Sequence, residues 1–132
     1  MGTFNVVNTD QLVTGSVAEK VVYVSSTSSV TYDCSIGGVF LHTSPVSQNW
    51  VAKIVNVPKE LNKIYTIAII CKNNSSAAYS PSSYLLDDED LSVQFSLGSL
   101  SSDAANLTKI ITIYIIRNSD GTLAAYGNGS NY

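Results

Sequence analysis

The sequence predicts an all-β chain, an antiparallel sandwich with no substantial helix. Three observations carry that expectation. No segment sustains the 3.6-residue apolar period of an amphipathic helix. Short runs rich in Val, Ile, Thr and Tyr recur along the chain, separated by Ser, Gly, Asn and Pro clusters. Near the end, "NSDG" (118–121) stands between two such runs as a strong hairpin signal.

The elements follow in order. "TFNVVN" (3–8) and "EKVVYVSS" (19–26) come first. "SVTYDC" (29–34) alternates, with Val30, Tyr32 and Cys34 on one face. "GVFLHT" (38–43) follows a Gly37-Gly38 turn, and "QNWVAKIVNV" (48–57) stops at Pro58, which cannot donate to a ladder. "KIYTIAIIC" (63–71) is next, then a Ser-rich loop and "SSYLL" (82–86). "LSVQFSL" (91–97) alternates, with Leu91, Val93, Phe95 and Leu97 expected to point inward. "SDAANLTK" (102–109) suits one helical turn capped by Ser102, and no more. "KIITIYIIR" (109–117) and "TLAAYG" (122–127) close the set as a hairpin. Such a series fits a sandwich of jelly-roll or immunoglobulin-like type.

Two of these runs are apolar on both faces. Residues 63–71 carry Ile64, Thr66, Ala68 and Ile70 on one side and Tyr65, Ile67, Ile69 and Cys71 on the other. Residues 109–117 carry Ile111, Ile113 and Ile115 against Ile110, Thr112, Tyr114 and Ile116. A half-solvated antiparallel sheet needs one apolar face per strand. The second face is therefore expected to be covered by a loop, a subunit or another protein.

The 132 residues suit one domain, with 19–132 as the sandwich and 1–18 as a first strand or a docking arm. In the arm, Phe4, Val6, Val7 and Leu12 are the apolar side chains that would add a strand to a neighbour. A chain of this length should bury roughly two-thirds of its unfolded surface without needing staples. Charged residues make up 13% of the chain, about half the usual share of roughly 25%. Uncharged Ser, Thr and Asn fill the polar surface instead, as suits surfaces that mate with other proteins. Net charge is −3 and the seven Lys and Arg are scattered, which argues against nucleic-acid binding. No run of eighteen apolar residues exists, so no membrane span is expected, and "MGTFNVVNTDQ" lacks the features of a signal peptide.

Taken in order, "GGVFLHT", "NWVAKIVNVPKELNKIYTIAI", "AAYSPSSY", "IITIYIIR" and "TLAAYG" resemble a β-sandwich domain common in cyanophage virion proteins. The resemblance rests on Gly38 to Phe40, Asn49 to Ala52, Asn56 to Pro58, Asn62 to Thr66, Tyr79 to Pro81 and Ile115 to Arg117. It spans about residues 36 to 127. It implies tail fibres, other appendages and particle-surface structural proteins, usually without enzymatic activity. Members often carry a Gly-rich loop with a Trp before the last strands. "LLDDEDLSVQFSLGSLSSDAAN" stands there instead, which counts against receptor binding through that loop.

The candidate sites are few. "DDED" (87–90) lacks the ligand spacing and Gly of a Ca²⁺ loop and reads as a solvated turn that blunts an edge. His42 is the one histidine, and no nucleophile motif accompanies it, so no catalytic, metal or cofactor site is expected. Cys34 and Cys71 read as small buried hydrophobes rather than a disulfide. Trp50, Tyr79 and Tyr84 are the aromatics that could meet a glycan or a partner, against the alternative of core filler and loop anchors.

The expectation is thus a non-enzymatic virion structural protein, foremost a capsid decoration or cement protein on the particle surface, made in the host cytoplasm. Its partners would be the major capsid protein, other virion proteins and copies of itself, a trimer among the candidate states. A tail-fibre or baseplate module binding a host glycan is the first alternative. A small carbohydrate-active enzyme is the second.

Overall fold

A computed structural model describes residues 18–132. The expected strand at 3–8 and the arm residues Phe4, Val6, Val7 and Leu12 lie outside the described residues. The rest is all-β: ten strands in two sheets, with no helix among the described residues. They are β1 (Val21–Val24), β2 (Ser29–Asp33), β3 (Val39–His42), β4 (Trp50–Val55) and β5 (Lys63–Lys72), then β6 (Pro81–Leu86), β7 (Glu89–Asp90), β8 (Val93–Phe95), β9 (Thr108–Arg117) and β10 (Leu123–Asn131). One sheet has the order β1-β3-β5-β9-β10-β8, the other β2-β4-β6-β7.

The pairing differs from the antiparallel expectation. Only β5–β9, β9–β10 and β6–β7 are antiparallel. The pairs β1–β3, β3–β5, β2–β4, β4–β6 and β10–β8 are parallel. The reason lies in the path of the chain. From β1 to β6 each strand joins the sheet opposite to its predecessor. Every strand thus returns to its own sheet after a circuit through the other, running in the same sense. The first six strands make three circuits of a flattened solenoid. The β9–β10 hairpin then closes one sheet with antiparallel pairs. Gly121, at φ +85°, sits in that hairpin's turn, where a left-handed residue is needed and nothing crowds it.

The core is the space between the sheets. Phe40, Ile67, Ile69, Ile111, Ile113 and Ile115 face inward from the six-stranded sheet, and Val30, Tyr32, Trp50, Ala52 and Ile54 from the four-stranded one. Alternation along each strand puts them there, as period-2 patterning dictates.

Two local expectations fail. Residues 102–109 form turns and the start of β9, not a helical turn. In 91–97 only Leu91 is buried: Val93 is half-buried, Phe95 is 37% exposed and Leu97 is fully exposed. β8 is a three-residue edge strand, so alternation ends at Phe95 and Leu97 falls in the next turn. Phe95 instead lies over Gly127, its register partner, where a Cβ would stand 2.5 Å from the ring.

Candidate functional site

The sheet register defines a candidate docking surface on the outer face of the six-stranded sheet. One row across it reads Tyr23, Leu41, Ile70, Ile110 and Ser130, from β1 to β10. The next reads Val21, Val39, Ala68, Thr112 and Asn128. Thr66, Tyr114 and Tyr126 form a third row, and Ile64, Ile116 and Ala124 a fourth. None of these positions is charged. Tyr23 is 68% exposed, Ile64 59%, Tyr126 47% and Tyr114 39%. The second apolar face read from 63–71 and 109–117 is this surface.

The four-stranded sheet is different. Its outer positions mix Ser29, Thr31, Asp33, Val51 and Lys53, and it ends on exposed Glu89 and Asp90 in β7. Asp87 and Asp88 are both left-handed and exposed, as the β6–β7 turn requires. "DDED" is thus a solvated turn and edge.

The aromatic platform is not assembled. Trp50 is 1% exposed and belongs to the core, its ring 5.2 Å from that of His42, so it cannot present a face to a glycan. Its position at an inward step of β4, opposite the other sheet, decides this. Tyr79 is half-buried in the loop before β6, its backbone tied at both the N–H and the carbonyl. Tyr84 points inward from β6 and meets Phe95 at 5.9 Å.

Two buried polar networks stand in the core. In the first, the Trp50 Nε1–H donates to the Tyr32 hydroxyl (2.9 Å), which lies 2.8 Å from His42 Nε2. Ser26 Oγ is 3.0 Å from His42 Nδ1 and donates to the Ser44 carbonyl (2.7 Å). Donor counting fixes the direction. Ser26 spends its proton on Ser44, so His42 Nδ1–H donates to Ser26. His42 Nε2 is then the acceptor of the Tyr32 proton. The imidazole is neutral with both nitrogens engaged. Burial lowers its pKa from 6.5 to about 4.

A pH prediction follows. His42 titrates near 6.5 when unfolded and near 4 when folded, so the unfolded chain binds the extra proton between those values. The stabilisation is complete above about pH 6.5 and is lost as pH falls toward 4, to a total of roughly 3 kcal/mol. Asp33 and Asp120, held below their usual 3.8 by hydrogen bonds from Ser35 and Thr122, act only at lower pH. Urea midpoints of the wild type should fall between pH 7 and 4.5, and those of His42→Gln should fall clearly less.

The second network surrounds Lys109, fully buried on β9. Its ammonium donates to Asp103 Oδ2 (2.8 Å) and to the Tyr79 carbonyl. Asn73, also fully buried, donates to Asp103 Oδ1 (2.6 Å) and the Ala104 carbonyl (2.7 Å), and accepts the Tyr79 N–H (3.2 Å). Together they pin the loops before β6 and before β9 to the sheet. Sequence reasoning missed this pair, because a Lys opening an apolar strand looks like an exposed flank. Only the partner Asp103, six residues back, signals otherwise.

No family model, curated protein or solved structure matches the chain. The described residues hold no group of three or more His, Cys, Asp or Glu placed to bind a metal. Cys34 and Cys71 are free and buried, their thiols raised to about 11 by burial. No helix among the described residues is long and apolar enough to cross a membrane.

Proposed function

We propose that the protein is a non-enzymatic structural protein of a phage particle, of the capsid decoration or cement kind, which docks through the outer face of its six-stranded sheet. The observation that carries this reading is the uncharged four-row face running across β1, β3, β5, β9 and β10. Together with the virion-domain resemblance of residues 36 to 127, it favours a role in holding a shell. A sheet with apolar side chains on both faces leaves one of them seeking cover. An uncharged face carrying exposed Tyr23, Ile64, Tyr114 and Tyr126 is the kind of surface that marks protein contacts.

The partner is the major capsid protein or another virion protein, which covers this face, and copies of the chain associate in an oligomer such as a trimer through other surfaces. Cementing works by binding the assembled shell and not its free subunits. Weak contacts repeated by symmetry add avidity when copies are joined. The tail-fibre or baseplate reading, with a host glycan as ligand, loses its central aromatic with Trp50 in the core.

The test is co-sedimentation with purified particles. Ile70→Lys and Tyr114→Glu place a charge in the first and third rows while leaving the core untouched. Each should keep a wild-type unfolding midpoint and bind particles at least tenfold more weakly. Thr31→Lys, on the opposite sheet, should bind normally. Unimpaired binding by both outer-face variants would refute the proposal.

A further inference from the structure

We propose that a cavity at the hairpin end of the sandwich is a binding site for a carboxylate joined to a small apolar group, held by Arg117 and Lys63. The cavity measures about 240 Å³ and opens between the β4–β5 loop and the ends of β5 and β9. Lys63 and Arg117 are register partners there. Both share the inward parity of their strands, Lys63 with Tyr65 and Ile67, Arg117 with Ile113 and Ile115. Val57, Pro58 and Ile115 supply apolar wall.

Three observations point to an anion. The Arg117 Nε is buried and has no hydrogen-bond partner among the described residues. A buried donor left unpaired is costly, and a bound anion is one way to satisfy it. The one salt bridge among the described residues is Lys109–Asp103, so neither Lys63 nor Arg117 is neutralised by Glu60 on the cavity rim. Two cations and one carboxylate therefore line this cavity in a chain whose net charge is −3.

The ligand's shape follows from the walls. A guanidinium offers a planar fork that a carboxylate matches with two parallel hydrogen bonds. The apolar wall beyond it takes a hydrocarbon group. The volume lies just below the usual range of roughly 300–1,000 Å³ for small-molecule sites, so the occupant is small. A free short-chain acid has this chemistry, and so does the last residue of a peptide ending in an apolar side chain. Asn56 and Asn62, both left-handed, bracket the β4–β5 loop, and the Asn62 N–H donates to the Arg117 carbonyl (2.6 Å), tying the loop to the end of β9.

Methyl-resolved NMR titration of the full chain tests this with four probes: N-acetyl-leucine, N-acetyl-leucinamide, 3-methylbutanoate and inorganic phosphate. N-acetyl-leucine or 3-methylbutanoate should shift the Val57 and Ile115 methyls saturably. The amide should bind at least tenfold more weakly than its acid, and Arg117→Met should weaken the acid at least tenfold. Equal binding of both acids would identify a free acid as the occupant. Binding of N-acetyl-leucine alone would identify a chain terminus. Should Arg117→Met fail to fold, Lys63→Met at an exposed position and the acid–amide comparison on wild type still decide. No saturable shift, equal binding of acid and amide, or displacement of the acid by phosphate at equal concentration would overturn the site.

Discussion

Replacing Lys109 with Met should destabilise the protein by about 3–5 kcal/mol, the usual cost of removing one member of a buried ion pair. Lys109 is fully buried and the Asp103 side chain is 13% exposed, so the remaining carboxylate would stay in a poor solvent for charge. Asp103 would keep its Asn73 hydrogen bond but lose its counter-ion, and the Tyr79 carbonyl would lose its donor. The pair is not expected to add much over an apolar replacement of both members, because desolvation offsets most of the attraction. The double variant Lys109→Met/Asp103→Leu should therefore recover a large part of the loss. Chemical denaturation of the two singles and the double gives the coupling directly. A Lys109→Met protein within 1 kcal/mol of wild type would show that the pair is solvated.

Tyr32→Phe should cost roughly 2–6 kcal/mol, though it removes a single oxygen. That oxygen serves both the Trp50 indole N–H and His42 Nε2, and both partners are buried. Each would be left unsatisfied, at about 1–3 kcal/mol apiece. The ring itself would keep its edge contact with Phe40, at 5.2 Å, so packing contributes little. His42 would also be freed of the constraint that keeps Nε2 an acceptor. The acid sensitivity should then shrink along with the stability. Thermal unfolding of Tyr32→Phe at pH 7 and pH 4.5 separates the effects. A loss below 1 kcal/mol at pH 7 would contradict the network.

The strands were legible because a period-2 pattern is local. "SVTYDC", "GVFLHT", "KIYTIAIIC" and "KIITIYIIR" each fall within a residue or two of β2, β3, β5 and β9. The hairpin at Gly121 was legible from its turn chemistry. Strand partners were not, since they depend on contacts between residues far apart. The solenoid path escaped notice for a further reason. Its circuits are unequal, 18 residues from Val21 to its partner Val39 but 29 from Val39 to Ala68, so no fixed repeat marks it. The outer face was readable from the two doubly apolar runs. The sequence left Trp50 open between core filler and a glycan or partner contact, because a lone Trp followed by Val gives no sign of which face it takes; its 1% exposure puts it in the core. The Arg117 cavity was invisible, because only the β5–β9 register brings Lys63 beside Arg117.

The outer-face and cavity proposals are separable. Ile70 and Tyr114 lie on the solvent side of the six-stranded sheet, whereas Arg117 and Lys63 are on its inward side at one end. Charges at the first pair should leave carboxylate binding intact. Loss of Arg117 should leave particle binding intact unless the occupant of the cavity is the terminus of the shell protein.

The decoration role is tested most directly by the copy number of this protein in purified particles, measured against the major capsid protein. The account predicts copies on the scale of the capsid protein. A count at a small multiple of the tail symmetry, or absence from the particle, would contradict it.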